Sequence, residues 1–452
     1  MQSLPLDLIK KYNVPAPRYT SYPTVPFWKN DVTQPTWEKA VKKAYKHFGD
    51  QEGISLYIHL PYCESLCTYC GCNKRITTNH TLELPYISTL MKEWDNYLSI
   101  LPSKPKLAGI HLGGGTPTFF SPESLKILIR HIKRYVRVTD NAEFSFEGHP
   151  NNTTQAHLAA LFEVGFTRVS YGIQDFDLKV QQAIHRIQPF EKVAEVTQIA
   201  RNVGYQSVNF DLIYGLPHQT IDTISETFEK VAMLQPDRIA FYSYAHVPEI
   251  FPSQRSFENH LPKEQEKRAL YEHGRQLLQG MGYHEIGMDH FSLPADPLFI
   301  AKQTNTLHRN FMGYTTLPSK ILIGLGNSAI SDVFFAYSQN EKRLESYKTM
   351  ILDGKSTIVK GHCLSTTDLQ MKAFILDLIC NHRAKWPEGI SPVDNPLWPN
   401  ILSEFKREGL LEYNANEIRV LDRGTAFIRN ICMAFDPYMQ SPKIKHGFSK
   451  AI

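Results

Sequence analysis

The sequence predicts an α/β fold: a partial (β/α)6 barrel of the TIM type, with an N-terminal arm and a small, mainly helical C-terminal domain. Three observations predict it. Six apolar runs of strand length alternate with longer amphipathic stretches between residues 54 and 245. The residues of unusual chemistry fall just after those runs. The 452 residues, 42% hydrophobic and 12% aromatic, suffice for one large domain and a smaller one.

Taken in order, residues 1–35 hold the aromatic, proline-rich Pro17-Arg18-Tyr19-Thr20-Ser21-Tyr22-Pro23, which reads as an ordered arm. Strands are expected at Ile54–Leu60, Leu107–Leu112, Glu143–Glu147, Arg168–Ile173, Ser207–Ile213 and Arg238–Ala245. Between them, Leu82–Ile100, Pro122–Tyr135, Gln155–Gly165, Phe190–Val203 and Ile221–Leu234 read as amphipathic helices. Ser121-Pro122-Glu123 and Thr223–Glu226 carry helix-start signals. After about residue 250 the pattern loosens, and Ile323–Ile330 resembles one more strand and turn. Thr366–Asn381 and Pro399–Glu408 then read as helices, followed by a hairpin near Leu411–Val420, a winged-helix-like tail. The expected division is an arm at 1–35, a barrel with substrate-site extensions at 36–355 and a tail domain at 356–452.

A formal charge of +4 gives no argument for nucleic acid, and no apolar run approaches the ~20 residues of a membrane helix. The beginning, MQSLPLDLIKKYN, lacks an apolar signal core. With free thiols expected, these features predict a cytoplasmic protein.

The densest chemistry is LPYCESLCTYCGCNKRIT, residues 60–77, which puts Cys63, Cys67, Cys70 and Cys72 within ten residues. Zinc knuckles need a second Cys or His pair, whereas Cys363, Cys380 and Cys432 are scattered and read as structural. A disulfide framework needs a short cysteine-rich chain, and seven Cys among 452 residues do not make one. A thioredoxin-type site would use one Cys-x-x-Cys; here Cys67 and Cys70 sit inside a denser cluster. Thiolates from one tight loop suit an iron–sulfur cluster. Three ligands at Cys63, Cys67 and Cys70 can cap three irons of a four-iron cube and leave the fourth open.

The other motifs also close strands. Gly113-Gly114-Gly115-Thr116-Pro117-Thr118 follows the second run, Glu147-Gly148-His149-Pro150 ends the third, and Gln174-Asp175-Phe176 the fourth. Asp211 and Tyr214-Gly215-Leu216-Pro217 close the fifth, and Ala245-His246 the sixth. In a parallel β/α architecture these C-terminal strand ends converge on one face, where active sites are built.

The cysteine loop, GGGTPT and the alternation together resemble the radical S-adenosylmethionine superfamily. Specifically, the chain resembles the oxygen-independent coproporphyrinogen III oxidase family over nearly its whole length. The likeness runs through PRYTSYP, YIHLPYCESLCTYCGCNK, QDF, DLIYGLP, SYAHVP, GMDHF, HRNF with GYTT, and RNICMAFDPYM. It implies a radical S-adenosylmethionine barrel in which Cys63, Cys67 and Cys70 bind a [4Fe–4S] cluster. One electron then cleaves S-adenosylmethionine, and a 5′-deoxyadenosyl radical takes a hydrogen from the β-carbon of a substrate propionate. Loss of CO2 and an electron leaves a vinyl group; two rounds turn coproporphyrinogen III into protoporphyrinogen IX for haem biosynthesis.

The resemblance further implies two S-adenosylmethionine molecules. By motif match, Tyr57, Gly114, Glu147, Ala245 and Ile330 would contact the cluster-bound one. Tyr69, Gly115, Thr116, Gln174, Arg186 and Asp211 would contact the second. Tyr57, Glu147 and Cys72 are the candidate catalytic residues, Cys72 as a hydrogen-atom or electron relay or else as a packed thiol. An electron donor and an electron acceptor are implied as partners, and a self-contained two-domain chain points to a monomer.

Each residue also has a plainer reading. Glycine turns commonly follow strands, Glu147 and Asp211 suit helix caps, and Arg186 suits a surface ion pair. Gln174 suits buried backbone and Tyr57 the core, while His59, His149, His246, His290 and His308 read as structural. Arg18, Lys74, Arg75 and Arg309 are candidates to meet substrate propionates. Two positions depart from the family pattern: Gly148-His149 where an acidic residue is expected after Glu147, and Met312 where a glutamine is expected. Two other functions compete, a haem chaperone of the same family and a porphyrin-directed radical methyltransferase. Cys72 and the arm argue against the chaperone.

Overall fold

A computed structural model describes residues 5–317, 319–390, 398–440 and 448–451. The six anticipated strands form: β1 (Ile54–Leu60), β2 (Lys106–Gly114), β3 (Arg137–Gly148), β4 (Arg168–Gln174), β5 (Ser207–Tyr214) and β6 (Arg238–Ser243). Each is followed by a helix: α1 (Glu83–Ile100), α2 (Pro122–Arg134), α3 (Gln155–Glu163), α4 (Phe190–Val203), α5 (Ile221–Leu234) and α6 (Glu264–Gly280).

Further strands complete the sheet: β7 (His284–Gly287), β8 (His290–Ser292), β9 (Leu322–Leu325), β10 (Ile330–Asp332), β11 (Ala336–Asn340) and β12 (Ile358–Cys363). The order is β12-β11-β10-β9-β1-β2-β3-β4-β5-β6-β8-β7. From β9 through β6 every pairing is parallel. Beyond those two strands the pairing turns antiparallel. The parallel core is therefore an open barrel wall with a hairpin-like extension at each side. The run at Ile323–Ile330 supplies β9, which docks on the outer side of β1.

Local chemistry explains the elements. Helices cover the outside of the sheet, so β1 is buried at every position but Tyr57. Along β5 burial alternates, with Asn209, Asp211 and Ile213 half-buried. Asn209 and Asp211 face the barrel interior. Ser121 caps α2 by accepting from the Ser124 N–H, with Pro122 at the first turn. For α5 the cap is Thr220, and Thr223 returns a bond to the Thr220 N–H at 2.9 Å. The helix therefore starts slightly before the anticipated signal.

One hydrophobic cluster fills the space between sheet and helices, centred on residues such as Leu56, Ile110, Phe146 and Phe210. A second gathers the tail and draws in Tyr12, Tyr19 and Tyr22 from the arm. The arm is fastened there: Tyr19 donates to Asp436 at 3.0 Å, and Arg429 donates to the Pro17 carbonyl at 3.1 Å. In the tail, the helix Thr366–Asn381 packs beside a three-stranded antiparallel sheet of Arg383–Lys385, Glu417–Val420 and Leu411–Tyr413. Among the described residues, no helix is long and apolar enough to cross a membrane.

Candidate active site

The cysteine loop leaves β1 at Leu60, and the two-residue ladder of Tyr62–Cys63 with Arg75–Ile76 closes its base. The Cys70 N–H bonds the Cys67 carbonyl at 3.1 Å, making a tight turn. Neighbouring elements hold the turn's carbonyls. Ser253 donates to Thr68 at 3.0 Å, Gln254 to Tyr69 at 3.0 Å and Lys74 to Cys70 at 2.9 Å. The same Gln254 amide reaches the Ala245 carbonyl at 3.3 Å, and its oxygen accepts from the Val247 N–H at 2.7 Å. Behind the loop, the His59 Nε2 meets the Asn73 carbonyl at 2.9 Å.

Strand β2 is stitched to this loop. The Gly115 and Thr116 N–H groups donate to the Leu60 and Tyr62 carbonyls at 2.8 and 2.9 Å. A β-carbon on Gly115 would come within 2.6 Å of the Pro61 carbonyl, so glycine is required there. Gly114 has a φ of +114° and donates its N–H to Glu147 at 3.2 Å.

Cys63, Cys67, Cys70 and Cys72 all open on one cavity of about 310 Å³. Tyr69, Gly114, Gly115, Thr116, Glu147, Gln174, Arg186 and Asp211 line it too. Tyr57, Ala245 and Ile330 are not among its lining residues. Tyr57 stacks on His111 with centroids 6.0 Å apart, and its hydroxyl meets His59 at 3.2 Å. His149, expected to be structural, lines the cavity, where burial and the Arg186 charge hold it neutral, down to about 2. Of the propionate candidates, Lys74 reaches this cavity but not Arg18, Arg75 or Arg309.

The electrostatics are uneven. A hydrogen bond with Cys72 pulls the Cys70 thiol down to about 6 against burial, helped by Lys74 and Arg186; Cys72 is pushed well up. Burial raises Cys63 to about 11, offset in part by the Thr116 hydroxyl, which donates to its sulfur at 3.3 Å. Burial also opposes ionisation of Glu147, yet His111 and the Gly114 N–H hold its carboxyl below the usual range. Asp211 accepts from the Ser170 hydroxyl at 3.1 Å, but that bond is outweighed. Burial and the Glu147 charge raise it to about 7.

Sequence reasoning did not single out several contributors. Gln254 lies in the stretch where periodicity fades, and nothing local marks it. His111 sits inside β2, its Nδ1 paired with the Ser145 hydroxyl at 2.8 Å. Glu93 on α1 accepts from the Gly326 N–H at 2.8 Å, Asn340 at 2.7 Å and Tyr347 at 2.6 Å. Next to Gly326, Asn327 donates to Asn73 at 3.2 Å, so this network reaches the cysteine loop from behind.

A model of the radical SAM superfamily matches residues 57–231, the span from β1 into α5. The chain is 37% identical to an oxygen-independent coproporphyrinogen III oxidase of Pseudomonas aeruginosa, covering 99% of this chain and 98% of that protein. It is 35% identical to the Escherichia coli protein of the same name, again over 99% and 98%. The solved structure of coproporphyrinogen III oxidase from Escherichia coli, described as a radical SAM enzyme, superposes with a TM-score of 0.86. It is 33% identical and covers 96% of this chain and 99% of that one.

The chain belongs to the oxygen-independent coproporphyrinogen III oxidase family. Radical S-adenosylmethionine enzymes of this family use a [4Fe–4S] cluster and S-adenosylmethionine, and the residues present fit both. Three thiols from one turn share a cavity, and the donor set is all sulfur. Among the described residues no group of three or more His, Cys, Asp and Glu side chains could hold a metal ion. Ligands around a multi-iron cluster stand further apart than those of one ion. For S-adenosylmethionine, the telling atom is the Arg186 Nε, buried without a partner on a guanidinium that lines the cavity. An unpaired buried donor of this kind calls for an acceptor, and a carboxylate suits it.

Proposed function

We propose that this protein catalyses the oxygen-independent oxidative decarboxylation of coproporphyrinogen III to protoporphyrinogen IX in haem biosynthesis. The observation that carries the reading is the meeting of three loop thiols, Glu147 and Arg186 on one cavity, in a chain matched end to end by proteins of that name.

Cys63, Cys67 and Cys70 would hold the cluster. When bound and reduced, the cluster supplies the electron that cleaves S-adenosylmethionine to a 5′-deoxyadenosyl radical, the hydrogen abstractor. Glu147, kept ionised, would take the amino group of the cluster-bound molecule, with Tyr57, Gly114, Ala245 and Ile330 as the rest of that site. Arg186 would pair with the carboxylate of a second molecule, beside Tyr69, Gly115, Thr116, Gln174 and Asp211. Cys72 keeps its proton beside Cys70 and serves as a hydrogen-atom or electron relay. Each of two propionates loses a β-hydrogen atom, CO2 and one electron, leaving a vinyl group.

An electron donor and an acceptor complete the reaction, and the enzyme works as a cytoplasmic monomer. Its proposed division is an arm at 1–35, a barrel at 36–355 and a tail at 356–452, with β12 reaching back from the tail into the sheet. The test is an anaerobic assay of reconstituted protein with S-adenosylmethionine, a reductant and coproporphyrinogen III. Conversion through a three-propionate intermediate is expected. Tight haem binding without turnover would replace the enzyme with a chaperone.

A further inference from the structure

A cavity of about 380 Å³ lies between the arm, α6 and the tail. It borders the C-terminal ends of β5 and β6 through Tyr214 and Ser243. Those are the strand ends from which Asp211 and Tyr242 line the cysteine cavity. Five arginines from three segments face it: Arg18 from the arm, Arg268 and Arg275 from α6, and Arg423 and Arg429 from the tail.

Four carboxylates line it as well, Glu272, Glu285, Asp289 and Asp422, one fewer than the arginines. Asp289 pairs with Arg18, and Glu272 is shared by Arg268 and Arg275. Arg429 spends its donors on main-chain carbonyls, including Lys450 at 2.9 Å. The Arg268 Nε, on the wall of this cavity, is buried without a partner. The field of these cations is felt nearby. Burial, then Arg18, lower Lys267 to about 8 and Arg429 to about 10. A concave site with excess buried cation recruits an anion, and arginine forks match carboxylates in bidentate geometry.

The cavity is close to the reaction. The Arg18 guanidinium lies 6.0 Å from the Tyr242 ring, and Tyr242 lines both the barrel interior and the cysteine cavity. Arg18 lines the one space and Tyr242 the other. The proposed substrate carries four propionates, of which two react.

We infer that the arginine-lined cavity seats the two tetrapyrrole carboxylates that the reaction leaves in place. This rests on the functional reading above and adds a subsite to it. Seating those two carboxylates beyond Tyr242 orients the opposite edge of the tetrapyrrole over the cysteine cavity.

The test uses three oxidised, fluorescent porphyrins and the full-length holoenzyme. Coproporphyrin III has all four carboxylates, protoporphyrin IX only the retained pair, and etioporphyrin none. In Arg268→Gln and, separately, in the more exposed Arg423→Gln, the dissociation constants of coproporphyrin and protoporphyrin should each rise about tenfold. Binding of etioporphyrin should not change. Protoporphyrin affinity unchanged in both variants would overturn the inference, whatever coproporphyrin does, since the retained carboxylates would then sit elsewhere. If the unaltered protein bound no tetrapyrrole, the functional reading would fall and the seat with it.

Discussion

The guanidinium of Arg186 stands 3.4 Å from the sulfur of Cys67 and 2.6 Å from the carbonyl of Gly172. One cation thus touches a thiol of the proposed cluster site and the end of β4. Its remaining Nε is buried and unpaired. Arg186→Gln should cut the number of S-adenosylmethionine molecules bound from two to one, with iron content little changed. The lost charged bond corresponds to about 1.5–3 kcal/mol, or roughly 10- to 100-fold in affinity. Equilibrium dialysis with labelled cofactor reads the stoichiometry, and two molecules bound as tightly as before would remove Arg186 from that role.

Cys67→Ala should abolish both the cluster and all cleavage of S-adenosylmethionine. Iron and sulfide analysis with chromatography of 5′-deoxyadenosine checks both. Cleavage that survived the substitution would defeat the ligand assignment.

Gln254 crosslinks the cysteine turn to the end of β6 through the Tyr69 and Ala245 carbonyls. Gln254→Ala leaves two carbonyls and the Val247 N–H without their partner, costing about 1–3 kcal/mol. The expected outcome is a lower melting temperature of the apoprotein and reduced iron uptake on reconstitution. Normal uptake would mean that the loop holds its shape without this clamp.

Asp211, raised to about 7 by burial and Glu147, gives a pH dependence. Its folded value lies above its unfolded value, so its contribution to stability is present at low pH and is lost as pH rises through about 7. The cationic sulfonium of S-adenosylmethionine favours the ionised carboxylate. Affinity for the cofactor should therefore climb as pH rises through about 7 and level off above it. Asp211→Asn should flatten that profile and raise the melting temperature of unliganded protein at alkaline pH. Calorimetric titration across pH gives the first result and thermal scanning the second.

The barrel was legible because its strands are local, either mostly apolar as in β1 or alternating as in β5, and are separated by helices. The cysteine loop and GGGTPT were legible because their residue types are rare at such density. What escaped depends on contacts between distant segments. Strand β9 pairs with β1 in the register Tyr57 with Gly324, a neighbour no local pattern announces. The arm was recognised as ordered, but its anchor is Asp436, 417 residues from Tyr19. Gln254 serves the site from a short helical segment, Pro252–His260, in which it and Phe257 are the buried residues. His149 shows the converse case, since an isolated histidine reads as structural until the cavity around it is seen.

Hydrogen abstraction from the substrate is read most directly with coproporphyrinogen III carrying deuterium at the propionate β-carbons. After anaerobic turnover, mass spectrometry follows both the porphyrin and the 5′-deoxyadenosine. One deuterium should enter 5′-deoxyadenosine for each vinyl group formed, with two transfers per protoporphyrinogen IX. Decarboxylation with unlabelled 5′-deoxyadenosine, or labelled 5′-deoxyadenosine with all four propionates intact, would contradict it.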